Sequence, residues 1–301
     1  MHVTAEASSA RVLVLLAVRN GLPWIRDQID SILAQQGVAV SLVVSDDAST
    51  DGTFEYCAQR SDVELLPGRG PHGSAGRNFF HLLSRVDLTG YDYVAFADAD
   101  DIWYSWKLSR AVAELRRTGS DGYGANVTAF WEDGREKLVD KAHPQREWDF
   151  VFESAGPGCT FVFSSRLAAR VQHVLRLAPS IPNDVSQHDW FVYAWARSHG
   201  FRWTIDAEPV MRYRQHAGNE LGVNTGSKAA GRRLRQLRSG WYRRQVEAIA
   251  SFCGVHTQPF IRAVLGHGLK SRLTLALRVR HCRRRSRDRL VLALASVLGW
   301  F

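Results

Sequence analysis

Asp98-Ala99-Asp100-Asp101 puts three carboxylates into four residues, directly after the apolar run Tyr93–Ala97. Like charges this close repel, and burial at a strand end adds a desolvation cost. A hard divalent cation offsets both, because Mg²⁺ is typically held by one or two carboxylates together with substrate phosphates. The spacing therefore reads as a place where a metal meets a phosphorylated ligand. The plainer alternative is an acidic loop that caps the next helix. A second acidic stretch, Asp46-Asp47-Ala48-Ser49-Thr50-Asp51-Gly52, follows the apolar run ending at Ser45. Within it Asp51 reads as a turn and cap. Asp189 stands at the mouth of a helical pattern, where it reads as an N-cap. His216 lies in a polar loop.

These residues need elements to hold them. Arg11–Val18, Val40–Ser45, Val63–Leu66 and Tyr93–Ala97 predict strands. Between them Trp24–Gln36, Thr53–Gln59 and Ala75–Val86 predict helices, and Ser105–Arg117 another. Ile25, Ile29, Ile32 and Leu33 recur at helical spacing, and Gly37 ends the run. Such alternation implies an α/β unit with a mainly parallel sheet. Ligands collect beyond the carboxyl ends of such strands. Arg19-Asn20, Asp46-Asp47 and Asp98–Asp101 all fall there. Farther on, Gly122–Phe130 and Cys159–Ser164 predict strands, Ser165–Leu177 and His188–His199 helices. Phe201–Ile205 and Pro209–Tyr213 look extended, and from Lys228 the pattern is helical and basic.

Composition narrows the class. The chain has 301 residues, 45% hydrophobic and 23% charged, which suits a sizeable globular core. No apolar run approaches a membrane span, and Arg11–Val18 reads as a buried strand rather than a signal peptide. Cys57, Cys159, Cys253 and Cys282 are widely spaced. They argue against a zinc site or disulfide framework and suit a reducing, cytoplasmic compartment. The net charge of +9 is uneven: residues 226–301 carry 17 basic and 2 acidic side chains, residues 1–225 carry 22 and 28. A localised positive surface points to anionic lipid or nucleic acid. With an acidic sheet end and no nucleic-acid motif, nucleic acid is the weaker of the two.

The order and spacing of these segments resemble family-2 glycosyltransferases of the GT-A fold. Val18-Arg19-Asn20-Gly21, Ile29–Gln36, Asp46–Gly52, Gly76-Arg77-Asn78 and Asp98–Trp103 carry the likeness, which spans roughly residues 11–220. The Asp-x-Asp-Asp-Ile-Trp form and Tyr213-Arg214-Gln215-His216 look most like a bacterial rhamnosyltransferase branch. The resemblance implies an inverting, metal-dependent transferase using Mg²⁺ or Mn²⁺. Its donor would be a nucleotide sugar, dTDP-rhamnose foremost, and its acceptor a cell-surface glycan or lipid-linked hydroxyl. Asp47 would bind the nucleotide base, with Asp46 supporting that loop and Ala17–Arg19 lining the other side. Arg77 would contact a diphosphate or simply cover its helix. Asp100 would be the metal ligand and His216 a further one. Asp98, with Ala99, would lie near the ribose or the metal's water shell, and Asp101 would be an accessory ligand or a cap. Asp189 would be the general base, with His188 in place of the family's usual acidic neighbour. Trp190 would stack on an acceptor sugar or belong to the core; Trp103 reads as core.

The expected organisation is a tail over 1–10, a catalytic domain over 11–225 and a basic helical extension over 226–301. Within the catalytic domain, 11–104 would bind the nucleotide sugar and 105–225 the acceptor. The Arg-rich stretch from Arg272 ends in the apolar Leu290–Phe301. That combination suits an interfacial anchor on an anionic membrane through residues 270–301, on the inner face of the plasma membrane. The alternative is a helix docking its leucines on the domain. Two other function classes compete. A sugar-phosphate nucleotidyltransferase would be expected to carry a Gly-rich basic phosphate loop, where this chain has Arg19-Asn20-Gly21-Leu22-Pro23. A degenerate glycan-binding or membrane-associated protein would not need both Asp100 and Asp189.

Overall fold

A computed structural model describes residues 9–68, 70–216, 231 and 235–301. The expected boundary at 225/226 lies outside the described residues. Along the chain run β1 (Ala10–Val18), α1 (Ile25–Leu33), β2 (Val38–Asp46), α2 (Thr53–Ala58), β3 (Glu64–Leu65), α3 (Ala75–Arg85), β4 (Tyr93–Asp98), β5 (Ile102–Trp103) and α4 (Lys107–Thr118). Then come β6 (Gly122–Phe130), β7 (Glu136–Val139), α5 (Asp149–Phe152), β8 (Val162–Ser164), α6 (Ser165–Leu177), α7 (Ile181–Asp184), α8 (His188–Ser198) and β9 (Trp203–Arg214). The extension adds α9 (Trp241–Phe252), α10 (Pro259–Leu265), α11 (Leu269–Arg278) and α12 (Ser286–Val297).

The strands form one mixed sheet in the order β3-β2-β1-β4-β8-β6-β9-β5, with β7 paired to β6. β1 is buried on both faces, which is why Val12–Leu16 is apolar without alternation. It pairs in parallel with β2 and β4, and β6 pairs in parallel with β9. Parallel ladders thus carry most of the pairing, as expected, and short antiparallel strands join the two halves. The two extended pieces expected over 201–213 are a single strand, β9. Its register against β6 shifts around Asn126, opposite Pro209. Proline offers no amide to a ladder, so the irregularity falls there and the strand continues.

One core cluster packs α1 and α4 against the sheet, through Ile25, Ile29, Ile32, Leu108 and Leu115. The opposite cluster joins α3, α6 and α8 to the extension. Phe79, Phe191 and Val192 share it with Tyr242, Ile249, Leu275, Leu292 and Phe301. The extension therefore completes the core of the α/β part. Not all of its apolar surface is used. Leu269, Leu273 and Leu277 on α11, and Leu290, Val291, Leu294 and Val297 on α12 with Leu298 at its end, stay exposed. Their spacing puts each set on one helix face, and α11 and α12 pack side by side. No helix among the described residues is long and apolar enough to cross a membrane.

Candidate active site

Register delivers the first residues to one place. Ala17 pairs with Ser45 on β2 and with Asp98 on β4, and Val18 pairs with Asp46. The loops after these strands are tied together. Asn20 N donates to Ser49 Oγ (2.8 Å), Thr50 N to Asn20 Oδ1 (2.9 Å) and Gly21 N to Thr53 Oγ1 (2.9 Å). Asp46 Oδ2 accepts from Ser49 N at 3.0 Å, closing a turn in which Ala48 takes φ +56°. A non-glycine residue there is uncommon and marks a tightly determined loop. Asp47 is buried, and its two oxygens accept the amides of His72 and Gly73. It thereby holds the 70–73 segment over the sheet edge. Arg19 is exposed beside it.

The acidic cluster splits by direction. Asp98 and Asp100 are half-buried, whereas Asp101 is fully buried. Asp100 Oδ2 lies 2.8 Å from His216 Nε2, and the imidazole stacks on Trp24 with ring centroids 4.0 Å apart. Arg214 ties the same region down: its Nε donates to Asp100 O (2.9 Å) and its amide to Asp101 Oδ1 (3.1 Å). Burial, with Asp100 and Asp98 alongside, holds the Asp101 carboxyl well above the ordinary range. Asp98, Asp101 and Cys159 each bring one potential ligand atom within 4.8 Å of the others. Burial, with Asp101 and Asp98 nearby, also pushes the Cys159 thiol well up. Lys107 is buried beneath, its ammonium 3.0 Å from the Trp103 ring centroid and donating to Cys159 O at 2.6 Å. Asp100 and His216 are of the ligand types a hard or borderline divalent cation takes. Their contact is one such a cation can replace, so the donor set fits a metal.

Helix α8 begins at His188, with Gln187 as its N-cap. Asp189 is therefore inside the first turn and is not the cap. Its Oδ1 accepts from Trp190 N at 2.7 Å. Burial raises its pKa to about 6, against the opposing pull of that amide and of the Ser154 hydroxyl. His188 lies between Phe79 (stacked, 3.9 Å) and Phe96 of β4 (edge-on, 5.0 Å), and its Nε2 is buried without a partner. Burial drops its pKa to about 3, so the ring is neutral. Gly158 passes so close that a Cβ there would lie 2.8 Å from His188 Nε2 and 2.9 Å from Asp189 Cβ.

Two positions that carried two readings each are placed as follows. Trp190 is 3% exposed and its indole N–H donates to Phe150 O at 2.9 Å. It is core, as large apolar rings near clefts usually are, and offers no face to an acceptor. Arg77 is exposed, with its Nε on Pro182 O at 3.0 Å, which bridges α3 to α7. Trp103 is core, as expected. Residues that sequence reasoning missed are Trp24, Lys107, Gly158 and Arg284. Each acts through a partner distant in sequence, and only the Asp98–Asp101 cluster hinted that Lys107 had charge to meet.

Comparison with known proteins bears on the family and the fold. Residues 13–165 match the family model described as Glycosyl transferase family 2. The chain is 38% identical over 291 residues to dTDP-rhamnosyl transferase RfbG of Shigella flexneri, covering 95% of this chain and all of that one. Among solved structures it resembles S. aureus TarS 1–349 in complex with UDP-GlcNAc (TM-score 0.53, 16% identity, 96% and 89% of the two chains). It also resembles the mannosyltransferase PcManGT from Pyrobaculum calidifontis in complex with GDP-Man and Mn²⁺ (TM-score 0.51, 17% identity, 97% and 87%). At such identities these structures speak to the fold alone.

Proposed function

The chain belongs to glycosyl transferase family 2 and is a glycosyltransferase, and from that premise we propose that it inverts configuration while moving rhamnose from dTDP-rhamnose to a hydroxyl of a cell-surface glycan or lipid-linked acceptor. The observation that carries the donor assignment is full-length similarity to a dTDP-rhamnosyl transferase. The observation that carries the chemistry is Asp189, whose pKa of about 6 suits a base working near neutral pH.

In this reading the acceptor oxygen attacks the anomeric carbon from the face opposite dTDP. The new C–O bond forms as the bond to the diphosphate breaks, dTDP leaves with the electron pair, and Asp189 takes the hydroxyl proton. Asp100 and His216 would hold Mn²⁺ or Mg²⁺, which when bound neutralises charge on the leaving diphosphate. Asp98 and Ala99 sit at the ribose side, and Asp101 serves as the buried support of that turn. Asp47 accepts from the base with lone pairs beyond those given to His72 and Gly73. Asp46 shapes the loop, Ala17 and Arg19 flank the base, and Arg77 holds α3 to α7 through Pro182 O. His188 keeps the wall behind Asp189 dry. The exposed leucine faces of α11 and α12, with exposed Lys270, Arg272, Arg278 and Arg287 on the same two helices, support contact with an anionic membrane on its cytoplasmic face.

The test is a donor panel with purified protein and Mn²⁺ or Mg²⁺, read as nucleoside diphosphate release and product configuration. The expected result is turnover of dTDP-rhamnose, with inversion, that stops on chelation. Preference for another nucleotide sugar overturns the donor assignment, and retention of configuration overturns the role of Asp189.

A further inference from the structure

Besides its apolar packing, the C-terminal extension sends a buried cation toward the Asp189 side. Arg284 is 4% exposed. Its two terminal nitrogens donate to Ala155 O (3.0 Å) and Ser154 O (2.5 Å), and its amide donates to Glu153 Oε1 (2.6 Å). Its Nε lies 3.4 Å from Glu153 Oε1 and 3.6 Å from Asp149 Oδ2. A planar guanidinium meets two successive carbonyls from two separate nitrogens in a rigid fork; a lysine ammonium has one nitrogen, set nearer the backbone, and no such fork. Arg289 fixes this bend in turn, donating to the carbonyls of Arg283 (2.9 Å) and Arg284 (2.6 Å).

The segment held in this way runs directly beside Asp189. The Ser154 hydroxyl has two acceptors within reach, Gly156 O at 3.1 Å and the Asp189 carboxylate. Four residues on, Gly158 presses on Asp189 and His188 with no room for a Cβ. We propose that Arg284 is a positioning residue for Asp189: from the extension it clamps the 153–158 segment that sets where the carboxylate points. The extension is then part of the catalytic machinery as well as a surface element. This inference rests on the reading of Asp189 as the general base.

The test uses the full-length protein with dTDP-rhamnose and Mn²⁺, water as acceptor, and dTDP release as readout; donor affinity is measured by calorimetry. Arg284→Lys keeps the charge that Asp149 and Glu153 require and gives up the two-carbonyl clamp. It should lower kcat about tenfold or more, the scale of a small misplacement of a catalytic group, with donor Kd within about twofold. Ser154→Ala, which leaves the clamp and the fold in place, should lower kcat in the same direction with donor Kd unchanged. The double variant Asp189→Asn/Arg284→Lys should be no slower than Asp189→Asn, because the clamp acts only through that carboxylate. Unchanged kcat in Arg284→Lys, or a full further loss in the double variant, overturns the positioning role while leaving Asp189 as base. Full activity of Asp189→Asn overturns the base reading and this inference with it.

Discussion

His216 Nε2 meets Asp100 Oδ2 at 2.8 Å across 116 residues of chain. The pairing of β5 with β9 makes this possible. Ile102 pairs with Arg212 and Trp103 with Met211, so the chain leaving β9 runs back past the turn that precedes β5. Stacking on Trp24 then fixes the ring. If these two side chains hold the proposed metal, altering either should weaken its binding. Asp100→Asn and His216→Ala are each expected to weaken Mn²⁺-assisted donor binding by about tenfold or more, with little change in thermal stability. Calorimetry with dTDP, with and without Mn²⁺, checks this. Unaltered cation-assisted binding in Asp100→Asn would remove the metal from this site.

Asp189 gives a pH prediction with a definite sign. Its carboxylate must be ionised to accept a proton, so kcat/KM should fall as pH drops through about 6. Asp189→Asn should lose about 10²-fold or more and the limb with it. Stability runs the other way. The folded-state pKa lies above the ordinary 3.8, so the folded protein binds the proton more tightly. This group's stabilising contribution is complete below 3.8 and is lost as pH rises through about 6. Asp189→Asn should therefore be more stable than the parent near pH 8, on the order of 3 kcal/mol, and equal to it near pH 3. A less stable variant near pH 8 would mean that the carboxylate is structural.

How much of this was legible in the sequence depends on what each residue answers to. Tyr93–Ala97 followed by Asp98 is a local pattern, and register then carries Asp98 to Ala17 and Asp46 to Val18 without further information. Asp189 could be read for the same reason: it opens a helix. Lys107 and Arg284 could not. A lysine on a helical pattern and an arginine in a basic run look solvated, yet both are buried on backbone carbonyls set by segments far away. Glu136–Val139 shows no apolar alternation because it is an exposed edge strand that pairs only with β6. Trp190 was ambiguous until Phe150 O supplied its partner.

The extension's outer face can be tested separately from its inner one. Truncation is a poor probe, because Arg284 and Phe301 are buried against the catalytic part. Leu277 and Leu294 are 79% and 54% exposed, so Leu277→Glu and Leu294→Glu should leave folding and donor turnover intact. If these leucines enter a membrane interface, each change forfeits the transfer of one leucine side chain, about 2 kcal/mol. The pair should then abolish sedimentation with phosphatidylglycerol vesicles at moderate salt. Undiminished sedimentation of the double variant would rule out the leucine face as the contact.

Gly158 offers the most direct probe of the wall behind Asp189. Its φ is not in the left-handed region, so the backbone itself accepts alanine, and the only obstacle is what the new methyl meets. That is His188 Nε2 at 2.8 Å and Asp189 Cβ at 2.9 Å. His188 has little freedom to yield, since Phe79 and Phe96 pack on it from two sides. The strain should move Asp189 instead, because its carboxylate is tethered by one amide and a serine hydroxyl. Gly158→Ala is therefore expected to lower kcat by about tenfold or more, to leave donor affinity unchanged, and to cost about 1–3 kcal/mol of stability from overpacking. Calorimetry and steady-state kinetics on the same preparation separate the two effects. A stability loss with undiminished kcat would show that the 153–158 segment gives way and that Asp189 takes its aim from α8 alone.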